Sequence, residues 1–457
     1  MAFTAFAQQL PQDPSIRKGK LKNGMTYNIR HNAKEAGLAD FYIAQRVGSI
    51  LEEPRQRGLA HFLEHMAFNG TKNFPGKGKS LGIVPWCETI GVKFGANLNA
   101  YTSIDQTVYH IGSAPLKREG IIDSCLLVLH DWSHYLLLED AEIDKERGVI
   151  HEEWRTRRAG MAVQRLQEQA MPKVYRGTKY EDCMPIGSMD IVDNFPYQDL
   201  RDYYQKWYRP DLQAIIVVGD IDVDKMERKI KKVFSPIPMP KNAAERIYYP
   251  VSDNDSMIVD IEKDKEQPIV LCHIYQKREA TPDSGKNSAK YLRDNYVDVP
   301  FTPQSDLELD FLKRCLSIAY TDSVREEKGG TYGVSVDFGL DKDDNPNAML
   351  KISYNADPQR YEELNPIVYR QLRNIADHGP SEASMQKVKE YLVKQYAQAS
   401  ITNDYWSYVI WHELDDDTDF DRDYCQMVQA MKPQDVQRMA RQLLDAKRRI
   451  EVTMLSE

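Results

Sequence analysis

No stretch of this chain approaches the roughly 18 to 20 consecutive apolar residues that a membrane-spanning helix needs, so no helical membrane span is expected. Cysteine is scarce and scattered. The six residues Cys87, Cys125, Cys183, Cys272, Cys315 and Cys425 include no C-x-x-C pair. They make neither a thiolate metal motif nor a redox motif, and read as lone core thiols. No Lys/Arg-rich block stands out, and the net charge is -9 with a pI near 5.7. Recognition of nucleic-acid backbone as the main function is therefore set aside. No fixed short period repeats, which removes the solenoid architectures. What remains is 457 residues, 42% hydrophobic and 28% charged, enough for two or three domains that each bury a core.

The N-terminal run Met1-Ala2-Phe3-Thr4-Ala5-Phe6-Ala7-Gln8-Gln9 looks like the tail of a secretory signal, with Ala5-Phe6-Ala7 as a small-x-small cleavage site. Residues 1–17 are therefore read as a signal remnant and arm, and the protein as periplasmic or secreted. Asn23-Gly24 marks a hairpin between strand-like segments within residues 18–30, and Phe41–Ala44 continues as a strand. A helix is predicted from about Gln56 to Phe68, stopping at Asn69-Gly70. Strands follow within residues 97–112, an apolar-periodic helix over 116–137, and a long charged helix from Asp140 to about Tyr175, broken by Gly160 and Pro172. Helices at 197–207 and 223–234 flank the buried-type strand Ala214–Gly219. Three prolines in alternate positions, Pro236, Pro238 and Pro240, then make a stiff connector. A first domain is thus placed at 18–235, a linker at 236–255 and a second domain at 256–457. Both halves mix antiparallel-looking strands with long helices, a loose two-fold α+β repeat.

The chemistry concentrates in His61-Phe62-Leu63-Glu64-His65. Histidines four apart on a helix project from one face, so both imidazoles can reach one metal ion. Glu64 flanks the same face, placed to take a proton from a water that such an ion activates. By composition alone, about one or two chains in a hundred of this length would carry H-x-x-E-H by accident. A zinc hydrolase needs a third protein ligand and an open position. The segment from Glu142 to Trp154 offers Glu146, Glu152 and Glu153. Glu146 and Glu153 are seven apart and share nearly one helix face, while Glu152 points roughly 100° away. The plainer interpretation is a solvated charged face, and spacing alone does not choose among the three glutamates.

H-x-x-E-H is the inverted zincin motif, and its surroundings, Gly58-Leu59-Ala60 before it and Met66-Ala67-Phe68-Asn69-Gly70-Thr71-Lys72-Asn73 after it, resemble the pitrilysin/insulinase family of zinc metallopeptidases. Asn99-Ala100-Tyr101-Thr102-Ser103 and the Glu146–Glu153 segment are similar to that family as well. The resemblance implies Zn2+ as cofactor, held by His61, His65 and Glu153, with Glu146 orienting the site. It implies a catalytic Glu64, and substrate backbone bound by Asn99 and Ala100 as an added strand. The run Ser323–Val334 resembles the family's Arg-and-Tyr element, which implies that Arg325 and Tyr332 polarise the scissile carbonyl or hold the oxyanion. The implied fold is two homologous α+β domains, each a mainly antiparallel sheet packed with helices, forming one half of a clamp. Implied partners are a peptide substrate and either a second copy or a second half. The expected function is zinc-dependent endopeptidase action on short or unfolded peptides in a chamber; the alternative is a non-catalytic structural or partner subunit of the same fold.

Overall fold

The computed structural model describes residues 15–456 apart from 79, 161, 248, 250–255, 267–269, 280–298, 300–301, 322, 324–333, 342–346, 358–360, 413–420, and 445–448. The chain divides into two compact units, and each draws on both halves of the sequence. The first comprises Met1–Glu152, Met184–Glu245 and Ala397–Arg422; the second comprises Glu153–Cys183, Arg246–Tyr396 and Asp423–Glu457.

The first unit is built on six strands: β1 (Ile16–Lys20), β2 (Thr26–His31), β3 (Leu38–Gln45), β4 (Leu98–Thr102), β5 (Thr107–Pro115) and β6 (Gln213–Gly219). They lie in the order β1-β2-β6-β3-β5-β4, antiparallel except for the parallel pair β2–β6. Gly24 sits at φ +98 in the β1–β2 hairpin, a left-handed position that a side chain would resist. Strand β6 is buried along its whole length because both its faces are covered. On one face lie α3 (Glu119–His134), whose Trp132 ring stacks on Tyr109 at 5.3 Å, and α8 (Val223–Phe234). On the other face the helix Asn403–His412 brings Trp406, Val409 and Ile410 onto Ile16, Ile216 and Val218. Asn32 fastens that helix by donating to Asn403 Oδ1 at 2.7 Å, and the Arg30 guanidinium lies 3.3 Å from the Trp406 ring centre.

The second unit holds β7 (Ile258–Asp264), β8 (Val270–Glu279), β9 (Val334–Asp341), β10 (Asn347–Ala356) and β11 (Ile450–Ser456), in the order β7-β11-β8-β10-β9. Only β7–β11 is parallel. Helices Pro303–Tyr320, Tyr361–His378 and Pro433–Leu443 bury one face of this sheet in a single apolar cluster. The helix Ala162–Val174 packs against β11 and β8, with Arg165 bonded to Asp264 at 2.6 Å and Gln169 to Asp260 at 2.7 Å. The sequence pattern suggests a break at Pro172, but the proline lies inside this helix, which runs past it to Val174. Burial pushes the thiols of Cys87, Cys272 and Cys315 up to about 12, which keeps them protonated and inert.

The expected fold class is therefore observed, and the two-fold repeat can be followed strand by strand. In chain order β2 to β6 and β7 to β11 have the same neighbours and the same orientations. Each half also sends one corresponding helix, Ala162–Val174 or Asn403–His412, into the unit built mainly from the other half. The repeat extends to residues. Met25 just before β2, with Tyr27 and Ile29 on it, matches in spacing Met257 just before β7, with Val259 and Ile261 on it. The first three are 0%, 4% and 0% exposed where α8 packs on β2, and the second three are 46%, 47% and 52% exposed. Among the described residues no helix takes the place of α8 on β7. Ile29→Ala should thus cost about 2–5 kcal/mol of stability, and Ile261→Ala no more than about 0.5 kcal/mol. Thermal unfolding of the two variants side by side would reverse this account if Ile261→Ala proved the worse.

Candidate metal centre

The helix carrying the two histidines, α1 (Leu59–Met66), is shorter than the predicted Gln56–Phe68. A separate 3-10 turn, Pro54–Gln56, precedes it, and Gly58 at φ +102 redirects the chain between them. A glycine has no side chain to cap the helix. The buried Glu52 carboxylate does so instead, accepting the Gly58 N–H at 3.0 Å and the Ala60 N–H at 2.7 Å. At the other end, Trp132 Nε1 donates to the Ala67 carbonyl at 3.1 Å. The apolar face of α1, with Leu59, Phe62, Leu63 and Met66 buried, holds the helix against the core, and Phe62 meets Phe195 edge-on at 4.9 Å.

The same segment around Phe195 anchors α4 (Asp140–Gly160). Arg147 donates to the carbonyls of Val192 and Phe195 at 2.7 and 2.8 Å, and its guanidinium lies 4.0 Å from the Phe195 ring centre. This anchoring sets Glu146 beside α1. Glu146 Oε1 accepts from His65 Nδ1 at 2.7 Å, and Glu146 Oε2 accepts from Asn69 Nδ2 at 2.5 Å. The carboxylate fixes the ring and its tautomer, leaving Nε2 as the remaining donor nitrogen of His65.

Seven residues further along the same unbroken helix is Glu153. The division into units passes through α4 just before it, so its place is set by the helix itself. Donor atoms of His61, His65 and Glu153 lie within 4.8 Å of one another, the single such group of metal-capable side chains among the described residues. Glu152 is exposed. Glu153 also pairs with Arg157 one turn on. Two imidazoles and a carboxylate are a donor set that suits a catalytic zinc ion. The residues present fit the metal.

Glu64 stands between the two histidines. Its Oε2 accepts from Thr102 Oγ1 at 2.6 Å. Thr102 ends β4, the edge strand of the sheet, which also carries Asn99 and Ala100. Their register partners on β5 are His110 and Tyr109, and the Ala100 N–H is 3.0 Å from the Asn99 side-chain oxygen. Behind this strand Tyr109 and Tyr208 share a hydrogen bond of 2.8 Å, and burial drives both hydroxyl pKa values upward, so they stay protonated beside the carboxylate. Arg325 and Tyr332 lie outside the described residues.

Four contributors were not assigned a role from the sequence: Glu52, Asn69, Thr102 and Gly187, whose backbone lies against Gly58. Asn69 had a legible signal, since it follows His65 by four residues, though it reads first as a helix stop. Thr102 shares a strand face with Ala100 by alternation. Nothing in the sequence signals Glu52 or Gly187.

Residues 32–184 match the family model described as insulinase (peptidase family M16), and residues 194–392 match the model described as peptidase M16 inactive domain. The probable zinc protease PqqL of Escherichia coli K12 is 36% identical over 271 residues, which is 59% of this chain and 28% of that protein. The crystal structure of the periplasmic protease PqqL from Escherichia coli superposes with a TM-score of 0.78 at 26% identity, covering 98% of this chain and 48% of that one. The structure of the first half of the same protease gives a TM-score of 0.77 at 26% identity over 98% of this chain and 93% of that one. The chain thus spans about half, or less, of the full-length PqqL that it matches. No described helix is long and apolar enough to cross a membrane.

Proposed function

We propose, from the premise that this chain belongs to the insulinase family of peptidases (M16), that it is a zinc-dependent endopeptidase. The observation that carries the reading is the convergence of His61, His65 and Glu153 on one point, with Glu64 alongside. His61, His65 and Glu153 would hold zinc. When bound, zinc would supply Lewis-acid polarisation of the scissile carbonyl and acidify the attacking water.

The remaining work falls to the chain. Glu64 takes the proton of the attacking water and returns it to the leaving amine. Glu146, braced by Asn69, keeps the His65 ring oriented. The edge of β4, at Asn99 and Ala100, receives the peptide as an added strand, which favours extended segments over folded ones. By resemblance, Arg325 and Tyr332 stabilise charge on the scissile carbonyl oxygen. We assign the substrate to short or unfolded peptides enclosed by a clamp of paired halves, in a homodimer or with a second half, and the compartment to the periplasm or exterior. The half-length match to PqqL, named a periplasmic protease, supports both assignments.

The test is zinc content together with cleavage of a quenched, unstructured peptide. About one zinc per chain and cleavage are expected. Glu153→Ala should lose both. Zinc without cleavage by the wild type would favour a non-catalytic partner subunit, and no zinc would overturn the assignment.

A further inference from the structure

The hydrogen bond between Thr102 and Glu64 joins the strand that would receive a peptide to the carboxylate that would move its proton. The bond is short, at 2.6 Å, and its direction is fixed by chemistry: an ionised carboxylate can only accept, so the Thr102 hydroxyl donates. A hydroxyl has one hydrogen, so Thr102 cannot donate elsewhere while it holds Glu64. Behind it, the Thr107 hydroxyl lies 3.5 Å from Thr102 Oγ1 and 2.8 Å from the Val47 carbonyl, and Thr107 is fully buried. The threonine is thus backed by a rigid neighbour. Being β-branched on a strand, it also has little rotamer freedom of its own.

Thr102 stands two residues from Ala100, on the same face of β4 by strand alternation. Asn99 and Tyr101 take the opposite face, and both are exposed. A peptide that pairs with the edge of β4, along which no further strand runs among the described residues, restrains the backbone bearing the Thr102 side chain.

We propose that Thr102 is a positioning residue for Glu64, coupling occupancy of the β4 edge to the orientation of the catalytic carboxylate. The inference rests on the peptidase reading and assigns it a residue which that reading does not use. Thr102 touches neither metal nor water in this scheme; it acts through Glu64.

The experiment compares Thr102→Val, which keeps the shape and removes the hydroxyl, with Thr102→Ser, which keeps the hydroxyl. A lost hydrogen bond to a charged group predicts a fall in kcat of roughly tenfold to a hundredfold for the valine variant. KM for an unstructured peptide should stay within about twofold, since edge pairing uses the backbone. Zinc content should be unchanged, and serine should restore kcat to within about threefold. A second readout needs neither metal nor turnover: thermal unfolding of the metal-free chain in a double-mutant cycle. Thr102→Val should lower Tm in the wild type and leave it unchanged when Glu64→Ala is already present.

A serine variant as slow as valine would overturn the proposal, as would a raised KM at constant kcat, or additive Tm shifts. The two failures are separable. If wild type binds no zinc or cleaves nothing, the peptidase reading falls and the cycle still decides whether Thr102 and Glu64 are coupled. If wild type cleaves and Glu64→Gln does not, while Thr102→Val is fully active, only the positioning role falls.

Discussion

Glu64→Gln is expected to bind zinc like the wild type and to cleave an unstructured peptide about 10²–10⁴ times more slowly. The two halves of this expectation have different physical origins. The amide is nearly the same size as the carboxylate and can still accept the Thr102 hydrogen bond through its carbonyl oxygen. The helix, its Glu52 cap and the His65–Glu146 bond do not involve this side chain, so the ligand set stays in place. What the amide cannot do is take up a proton near neutral pH. Water attack then loses its base and the leaving amine loses its acid. Metal content by elemental analysis and initial rates on one preparation decide the matter. Loss of zinc in Glu64→Gln would make Glu64 part of the metal site, and residual activity near wild type would move the base elsewhere.

The sequence carries some of this arrangement and not the rest, for a definite reason. The two histidines are legible because the helix repeat alone brings residues four apart to one face, and α1 forms where the pattern predicts. The hairpin at Asn23-Gly24 and the strands β4 and β5 are legible because turn chemistry and alternation are local. Glu146 and Glu153 are a harder case. Their spacing says that they share a face, and only the fold says that Glu146 meets His65 while Glu153 joins the histidine pair. Glu52, Thr102 and Gly187 contribute through contacts 6, 38 and more than 100 positions away in sequence, which no local rule reports. The same limit explains the exchange of helices between the units. Trp406, Val409 and Ile410 mark a face that must be buried, but amphipathicity does not say against which sheet. The match of β2 to β7 was likewise hidden. Similar alternation serves a covered strand in one unit and an exposed edge in the other.

Gly187→Ala should be among the most damaging single-methyl substitutions in the chain. Gly187 is at φ +70, and a Cβ built there would stand 2.3 Å from the Cα of Gly58 and 2.4 Å from its nitrogen. Both opposing atoms are backbone, so no side chain can swing away to make room. Gly58 is itself held at φ +102 as the residue that opens α1, and its N–H is committed to Glu52. Relieving the clash therefore means moving the start of the helix that carries His61, Glu64 and His65. The left-handed backbone alone costs about 1–2 kcal/mol for a non-glycine residue, and forced overpacking typically adds about 1–3 kcal/mol. A total of roughly 2–5 kcal/mol is expected, with Tm falling by several degrees or more and zinc affinity falling with it. Gly177→Ala is the control, because that glycine has a similar φ of +75 but nothing within 4 Å of the new methyl. It should show the backbone cost without the clash, and should keep its zinc. Equal losses in both variants would mean that conformation alone is responsible and that the Gly58–Gly187 contact does not position the metal helix.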